Sequence, residues 1–168
     1  QGAVRGDRTG AGRAGDAVMT KHMKVVLKEK PDSKGASVAE LDLLELAIVL
    51  KNCEPRVERT LVVYAETIFG ELHEHIQAAM GWENAHLHEF VIGDHHLGSD
   101  PDDDPYRDGD MSNENDVRIM DLLPNGKGTI RYIYDFGDDW IHEIKVKPLA
   151  KNKHTGVKPP VCTGGKGA

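Results

Sequence analysis

Two histidines separated by one residue, His86 and His88, open the stretch of this sequence whose residue types suit metal chemistry. On a strand, alternate residues share a face and stand ~6.6 Å apart, at ~3.3 Å of rise each. The two imidazoles can then share one ion. His142 follows on a later strand-like segment, with Asp138 and Asp139 just before it. Two or three imidazoles with a carboxylate make a ligand set for a divalent metal, zinc by preference or non-haem iron. A water on that ion loses a proton readily and becomes a nucleophile for hydrolysis. The same residues also have a plainer reading. His88 shares its face with Phe90 and Ile92, as a buried histidine bonded to backbone would, and Asp138 and Asp139 suit a tight turn. A second candidate is a ligand cleft lined by Trp82 and Trp140, with Asp135 and Glu89 as carboxylates for a cation or basic ligand. Core packing of both tryptophans is the preferred reading of that pair, with the cleft as the alternative.

Other chemistry-bearing residues are less promising. His73 and His75 lie two apart on a helix, do not face each other, and read as boundary residues of its apolar stripe. Cys53 and Cys162 form no disulfide framework. Cys53 sits in a turn without a nearby histidine, and the GGKGA after Cys162 lacks phosphate-loop spacing. No nucleophile–base pair is legible, so no catalytic residue is assigned. The run from Asp94 to Asp116 holds nine Asp or Glu against one Arg, about the whole excess behind the net charge of -7. Its offsets fail the EF-hand pattern, and it reads as a solvated loop that can recruit a basic partner.

The elements that must position these residues follow from periodicity. Leu44, Leu46, Ile48 and Leu50 alternate, as do Val57, Leu61 and Val63, which predicts a hairpin across Asn52–Pro55. Thr67 is a plausible N-cap for a helix over 68–80, with Ile68, Leu72, Ile76 and Ala79 on one stripe and Gly81 as its stop. His86–Ile92 alternates again. Val117–Leu123 suits a short strand or a turn of helix. Gly128–Phe136 and Trp140–Lys147 predict a second hairpin around Gly137-Asp138. The economical arrangement is α+β: one mixed sheet of about five strands with one main helix across it, in a β-grasp-like roll.

At 168 residues the chain suits one domain. Residues 1–22 read as a disordered extension, 23–40 as a linker or short strand around Met23–Lys28, 41–149 as the α+β core, and 150–168 as a truncated C-terminal tail. The acidity opposes duplex binding, so the core domain is not expected to bind nucleic acid. No apolar run reaches membrane-spanning length and no signal peptide opens the chain, which makes the cytosol the expected location, with no membrane partner.

Four segments then stand together: PRVERTLVV (55–63), ELHEHIQAAMGWENAHLHEFVIG (71–93), YDFGDDWIHEI (134–144) and PVCTGGKGA (160–168). Jointly, over residues 41–168, they resemble the plasmid pRiA4b open-reading-frame-three-like family. That resemblance implies an α+β fold and an association with mobile elements, and some members carry a resolvase label. The sequence departs from the family pattern at Glu58, where tryptophan is usual, and at His75, a commonly aliphatic position. Relatives usually continue past Ala168 into a Cys-containing segment, which suggests a fragment or a missing last strand. The resulting expectation is a binding module with an unknown protein partner, the alternative being a metal-dependent hydrolase or nuclease. A serine recombinase is disfavoured, because Ser33, Ser37, Ser99 and Ser112 all fall in loops with few arginines nearby.

Overall fold

The computed structural model describes residues 43–99, 111–150 and 158–167. Two units divide the chain, Gln1–Gly35 and Ala36–Ala168, and every described residue belongs to the second. The expected extension at 1–22, the short strand at 23–28 and the centre of the acidic run lie outside the described residues.

The alternating leucines form strand β1, Leu43–Leu50, which pairs antiparallel with β2, Glu58–Tyr64, setting Leu46 opposite Leu61 and Leu44 opposite Val63. Leu44, Leu46, Ile48 and Leu50 are buried, as a period of two requires. Helix α1 runs Phe69–Met80 and buries Phe69, Leu72, His73, Ile76 and Gln77. Its N-cap is Ile68, without a side-chain cap bond, and not Thr67. Thr67 instead closes the preceding turn, donating its N–H to the Tyr64 carbonyl at 3.1 Å. Gly81 ends the helix at φ 74, in the left-handed region where a missing Cβ removes the strain.

The remaining elements are β3 (His88–Ile92), β4 (His95–Gly98), β5 (Met111–Asn113), a 3-10 turn at Glu114–Asp116, α2 (Ile119–Leu122), β6 (Gly128–Tyr134), β7 (Trp140–Pro148) and β8 (Val161–Lys166). The ambiguous Val117–Leu123 segment thus supplies a helical turn. Asp121 accepts the Arg118 backbone N–H at 2.9 Å and its guanidinium at 2.8 Å, anchoring that turn.

The sheet corrects the expected architecture. It has eight strands among the described residues, in the order β5-β4-β3-β6-β7-β1-β2-β8, and not about five in a β-grasp-like roll. Three short strands make the difference. His95–Gly98 adds β4 beside β3. Met111–Asn113 runs parallel to β4 as one edge, which makes the sheet mixed. The segment read as a Gly-rich tail contributes β8, which pairs with β2 and forms the other edge.

The β6–β7 connection also differs from a two-residue turn with glycine first. It occupies residues 135–139, with Asp135 at φ 60 and Asp139 at φ 51. Aspartate tolerates this region because its side chain bonds locally, and Asp135 Oδ1 accepts the Gly137 N–H at 3.0 Å. The longer loop leaves Phe136 exposed, while Tyr132 and Tyr134 are buried.

Both helices cover one face of the sheet. Leu44, Leu46, Ile48, Phe90, Ile130, Ile144 and Val146 meet Phe69, Leu72, Ile76 and Ile119 in a single apolar core.

Candidate functional site

The core is not apolar throughout. Thr67, His73, Gln77, His88, Glu114 and His142 are buried among the described residues. All but Thr67 gather around Tyr132, itself fully buried on β6. Burying polar groups costs stability unless they are hydrogen-bonded, and most of this group is bonded in a definite order. Asn84 donates its backbone N–H to Gln77 Oε1 at 2.9 Å, so the Gln77 amide nitrogen faces Tyr132 Oη and donates to it at 2.9 Å. The phenol's own proton then goes to His73 Nδ1 at 2.8 Å, and His73 Nε2–H donates to Asn84 Oδ1 at 2.6 Å. The bonds close a ring that starts and ends on Asn84. Its polarity makes His73 the neutral Nε2–H tautomer. Burial, and next the neighbouring His88, depress the His73 pKa, which agrees with a neutral ring. Burial pushes the Tyr132 phenol up, so it remains a donor.

His73 is a flat plate against a second imidazole. Its ring stacks on that of His88 with centroids 3.5 Å apart and planes 5° from parallel. His88 Nε2 lies 2.7 Å from Glu114 Oε2, and both side chains are buried. Carboxylate and imidazole thus form a dyad, brought together because β3 places His88 under α1 while the 3-10 turn after β5 delivers Glu114. His73, His88, Glu114, Asn84, Glu74 and Glu71 wall an open cleft of about 480 Å³.

A second cleft, of about 560 Å³, lies at the C-terminal end of α1. Trp82, Tyr134 and Trp140 line it, with Trp82 stacked on Tyr134 at 4.9 Å and 6.0 Å from Trp140. The Tyr134 hydroxyl accepts the Ala85 and His86 N–H groups at 2.8 and 3.2 Å, tying the segment after α1 to the sheet. Glu83, Asp135 and Asp138 stand at this cleft against one guanidinium, Arg59. Arg59 is committed to the carbonyls of Ala79, Glu58, Lys166 and Gly167. His86 borders both clefts.

The five residues considered as metal ligands are not gathered. β3 begins at His88, so His86 is outside the strand, exposed, with Nδ1 3.4 Å from Asp135 Oδ2. His142 is sealed in the core against Trp82 and Tyr132, each 5.2 Å away between centroids. Asp138 lines the aromatic cleft, and Asp139 is an exposed loop residue. No group of three His, Cys, Asp or Glu able to hold an ion occurs among the described residues. Of the four cleft candidates, Trp82, Trp140 and Asp135 share one cavity. Glu89 does not: strand alternation turns it away from His88, and it bonds His96.

His142 has neither ring nitrogen hydrogen-bonded, although both are buried. Burial lowers its pKa to about 4. The backbone carbonyls of Tyr132 and Trp140 favour the charged form weakly, without closing a hydrogen bond.

Sequence reasoning missed His73, Gln77, Asn84, Glu114 and Tyr132. His73 is 3% exposed and not a boundary residue. The available signal was a polar pair at i, i+4, His73 and Gln77, inside the buried stripe of α1 beside Leu72 and Ile76.

A family model described as plasmid pRiA4b ORF-3-like protein matches residues 42–168. An uncharacterized protein of Sinorhizobium fredii, y4hQ, is 38% identical over 109 residues, which are 62% of this chain and 53% of that protein. The chain therefore spans about half the length of that relative. The crystal structure of a protein of unknown function from Methanosarcina mazei Go1 is similar with a TM-score of 0.58 at 30% identity, covering 73% of this chain and 68% of that one. No helix of the described residues is long and apolar enough to cross a membrane.

Proposed function

Since the chain belongs to the plasmid pRiA4b ORF-3-like family, and these relatives are themselves of unknown function, we propose from its own geometry that it is a binding module. It takes a basic side chain of a partner protein into the aromatic cleft. The mobile-element setting of that partner rests on the plasmid in the family's description.

One observation carries this reading: Trp82, Tyr134 and Trp140 share a cavity with Asp135 and Asp138. Aromatic rings attract a cation through their quadrupole, by about 0.5–2 kcal/mol per contact, and do so more strongly where water is displaced. Three carboxylates against one already committed guanidinium leave the rim negative, and the whole chain carries -7. A lysine or arginine side chain fits both features, with its apolar stem against Met80 and Leu50 and its charge at the aspartates. An anionic ligand fits neither. The alternative of a metal-dependent hydrolase draws no support from the ligand geometry, since His86, His88 and His142 occupy three separate surroundings.

Titration with a lysine- and arginine-containing peptide, followed by tryptophan fluorescence and calorimetry, tests the proposal. Binding is expected to weaken when the lysines are acetylated. Trp140→Ala is expected to weaken it about tenfold, the equivalent of about 1.4 kcal/mol. Affinity unchanged by acetylation and by both Trp140→Ala and Asp138→Asn would reject the assignment.

A further inference from the structure

The dyad in the neighbouring cleft carries chemistry that a cation-binding site does not use. We propose that His88, held by Glu114, is the nucleophile of a second site whose substrates are small carboxylic esters and related acyl compounds.

Three features of the cluster support this. First, the contact with Glu114 engages Nε2, so the Nε2–H tautomer is favoured and the lone pair sits on Nδ1. Nδ1 has no hydrogen-bond partner among the described residues, and it is not one of the atoms left both sealed and unpaired. A carboxylate that fixes tautomer and orientation, and stabilises the imidazolium when it forms, is what converts histidine from a core residue into a reactive one. Second, the ring cannot swing away. His73 lies parallel to it at 3.5 Å, and His73 is itself locked by the closed cycle through Asn84, Gln77 and Tyr132. His73 has both nitrogens engaged and serves as a positioning residue. Third, the cleft above has about 480 Å³ of space, enough for a small ester. A buried Glu–His pair backed by a second histidine is expensive to maintain. The apolar half of the core already supplies the packing that the fold needs.

The step needs only His88, Glu114, the ester and one water. Nδ1 attacks the acyl carbon, a C–N bond forms, and the C–O bond to the leaving group breaks with its electron pair leaving on oxygen. The Nε2 proton passes to Glu114, giving a neutral acyl-imidazole. Water then adds to the acyl carbon, the C–N bond breaks, and Nε2 recovers its proton from Glu114. The water's hydroxyl leaves in the carboxylic acid, and its remaining proton neutralises the alkoxide or phenoxide released first.

p-Nitrophenyl acetate is the probe, with the whole chain as enzyme and free imidazole at equal concentration as reference. Release of nitrophenol is expected to exceed the reference by about 10² or more, in the range of positioned acid–base groups. His88→Gln is expected to fall to the reference rate. Glu114→Gln is expected to lose about tenfold and to shift the pH profile of the rate, which a purely structural carboxylate would not do. Circular dichroism and melting curves check that each variant is folded. Should both variants unfold, diethyl pyrocarbonate treatment of the wild-type protein with peptide mapping decides: a rate lost in step with carbethoxylation of His88 supports the site, and a full rate with His88 carbethoxylated overturns it. A wild-type rate equal to free imidazole, or a folded His88→Gln variant with an unchanged rate, also overturns it.

Discussion

Replacing His142 by phenylalanine is expected to stabilise the fold, and to do so more as the pH falls. The wild-type ring is 0% exposed and neither nitrogen has a partner. A buried polar group without its hydrogen bond costs about 1–3 kcal/mol. Phenylalanine keeps a planar ring against Trp82 and Tyr132, and its slightly larger volume gives back up to about 1 kcal/mol as overpacking. The net gain near pH 7.5 is therefore about 1 kcal/mol. The pH dependence has a definite sign. In the unfolded chain the histidine titrates near 6.5, in the fold at about 4. Between those values the unfolded state holds a proton that the folded state does not, so stability rises with pH and is lost on acidification. At about 1.4 kcal/mol per pH unit the complete loss is about 3 kcal/mol, of which about 2 falls between pH 7 and pH 5. His73, also held neutral by burial, adds to the wild-type slope in the same direction and remains in the variant. Urea denaturation followed by far-ultraviolet circular dichroism at pH 7.5 and pH 5 measures both quantities. A variant that is destabilised by more than about 1 kcal/mol at pH 7.5, and that loses as much stability on acidification as wild type, would refute the reasoning.

Three further substitutions probe the packing. Tyr132→Phe removes the donor to His73 Nδ1 and strands the Gln77 N–H that it accepts, so a loss of about 1–3 kcal/mol is expected in the same denaturation assay. Gly70→Ala favours a helix by up to about 1 kcal/mol. The new Cβ meets only Asn115 Oδ1, the far end of an exposed side chain that can turn aside, so the melting temperature is expected to rise. Phe69→Ala empties a fully buried position against Phe90, whose ring centroid is 5.1 Å away. It should cost about 3–5 kcal/mol, read from the urea midpoint.

What was legible in the sequence followed wherever one physical rule acted locally. The Leu44–Leu50 alternation gave β1 because each second side chain had to reach the same core. The α1 stripe and Gly81 were readable because helical period and left-handed geometry are properties of neighbouring residues. The short strands were not, since His95–Gly98 and Met111–Asn113 have little strand propensity of their own and exist through pairing with β3 and with each other. β8 is similar: Val161–Lys166 contains two glycines and becomes a strand because β2 offers it an open edge. The HxH reading failed through the same kind of non-local effect. The Tyr134 hydroxyl captures the backbone at Ala85 and His86 and holds His86 short of the strand. The tryptophans were read chiefly as core, whereas Trp140, at the start of β7, is 39% exposed and lines a cleft with Trp82.

The polar cluster shows why a stripe on a helical wheel does not reveal a site. Both flanks of α1 are buried, yet Phe69, Leu72 and Ile76 lie in the apolar core while His73 and Gln77 meet Tyr132. Rotating the helix by one residue, about 100°, would drive the imidazole and amide into hydrocarbon and break every bond of the Asn84 cycle. The cycle therefore fixes the helix rotation as well as the plane of His73, and through that plane the position of His88 over Glu114. Apolar packing alone would tolerate considerable rearrangement, whereas a closed set of directional bonds does not. The geometry that seats His88 in the wall of the cleft and makes its tautomer definite is thus built by residues outside the dyad. A loss of reactivity on changing Asn84 or Gln77, with little loss of fold, is the behaviour that separates such a scaffold from a core that merely happens to contain histidines.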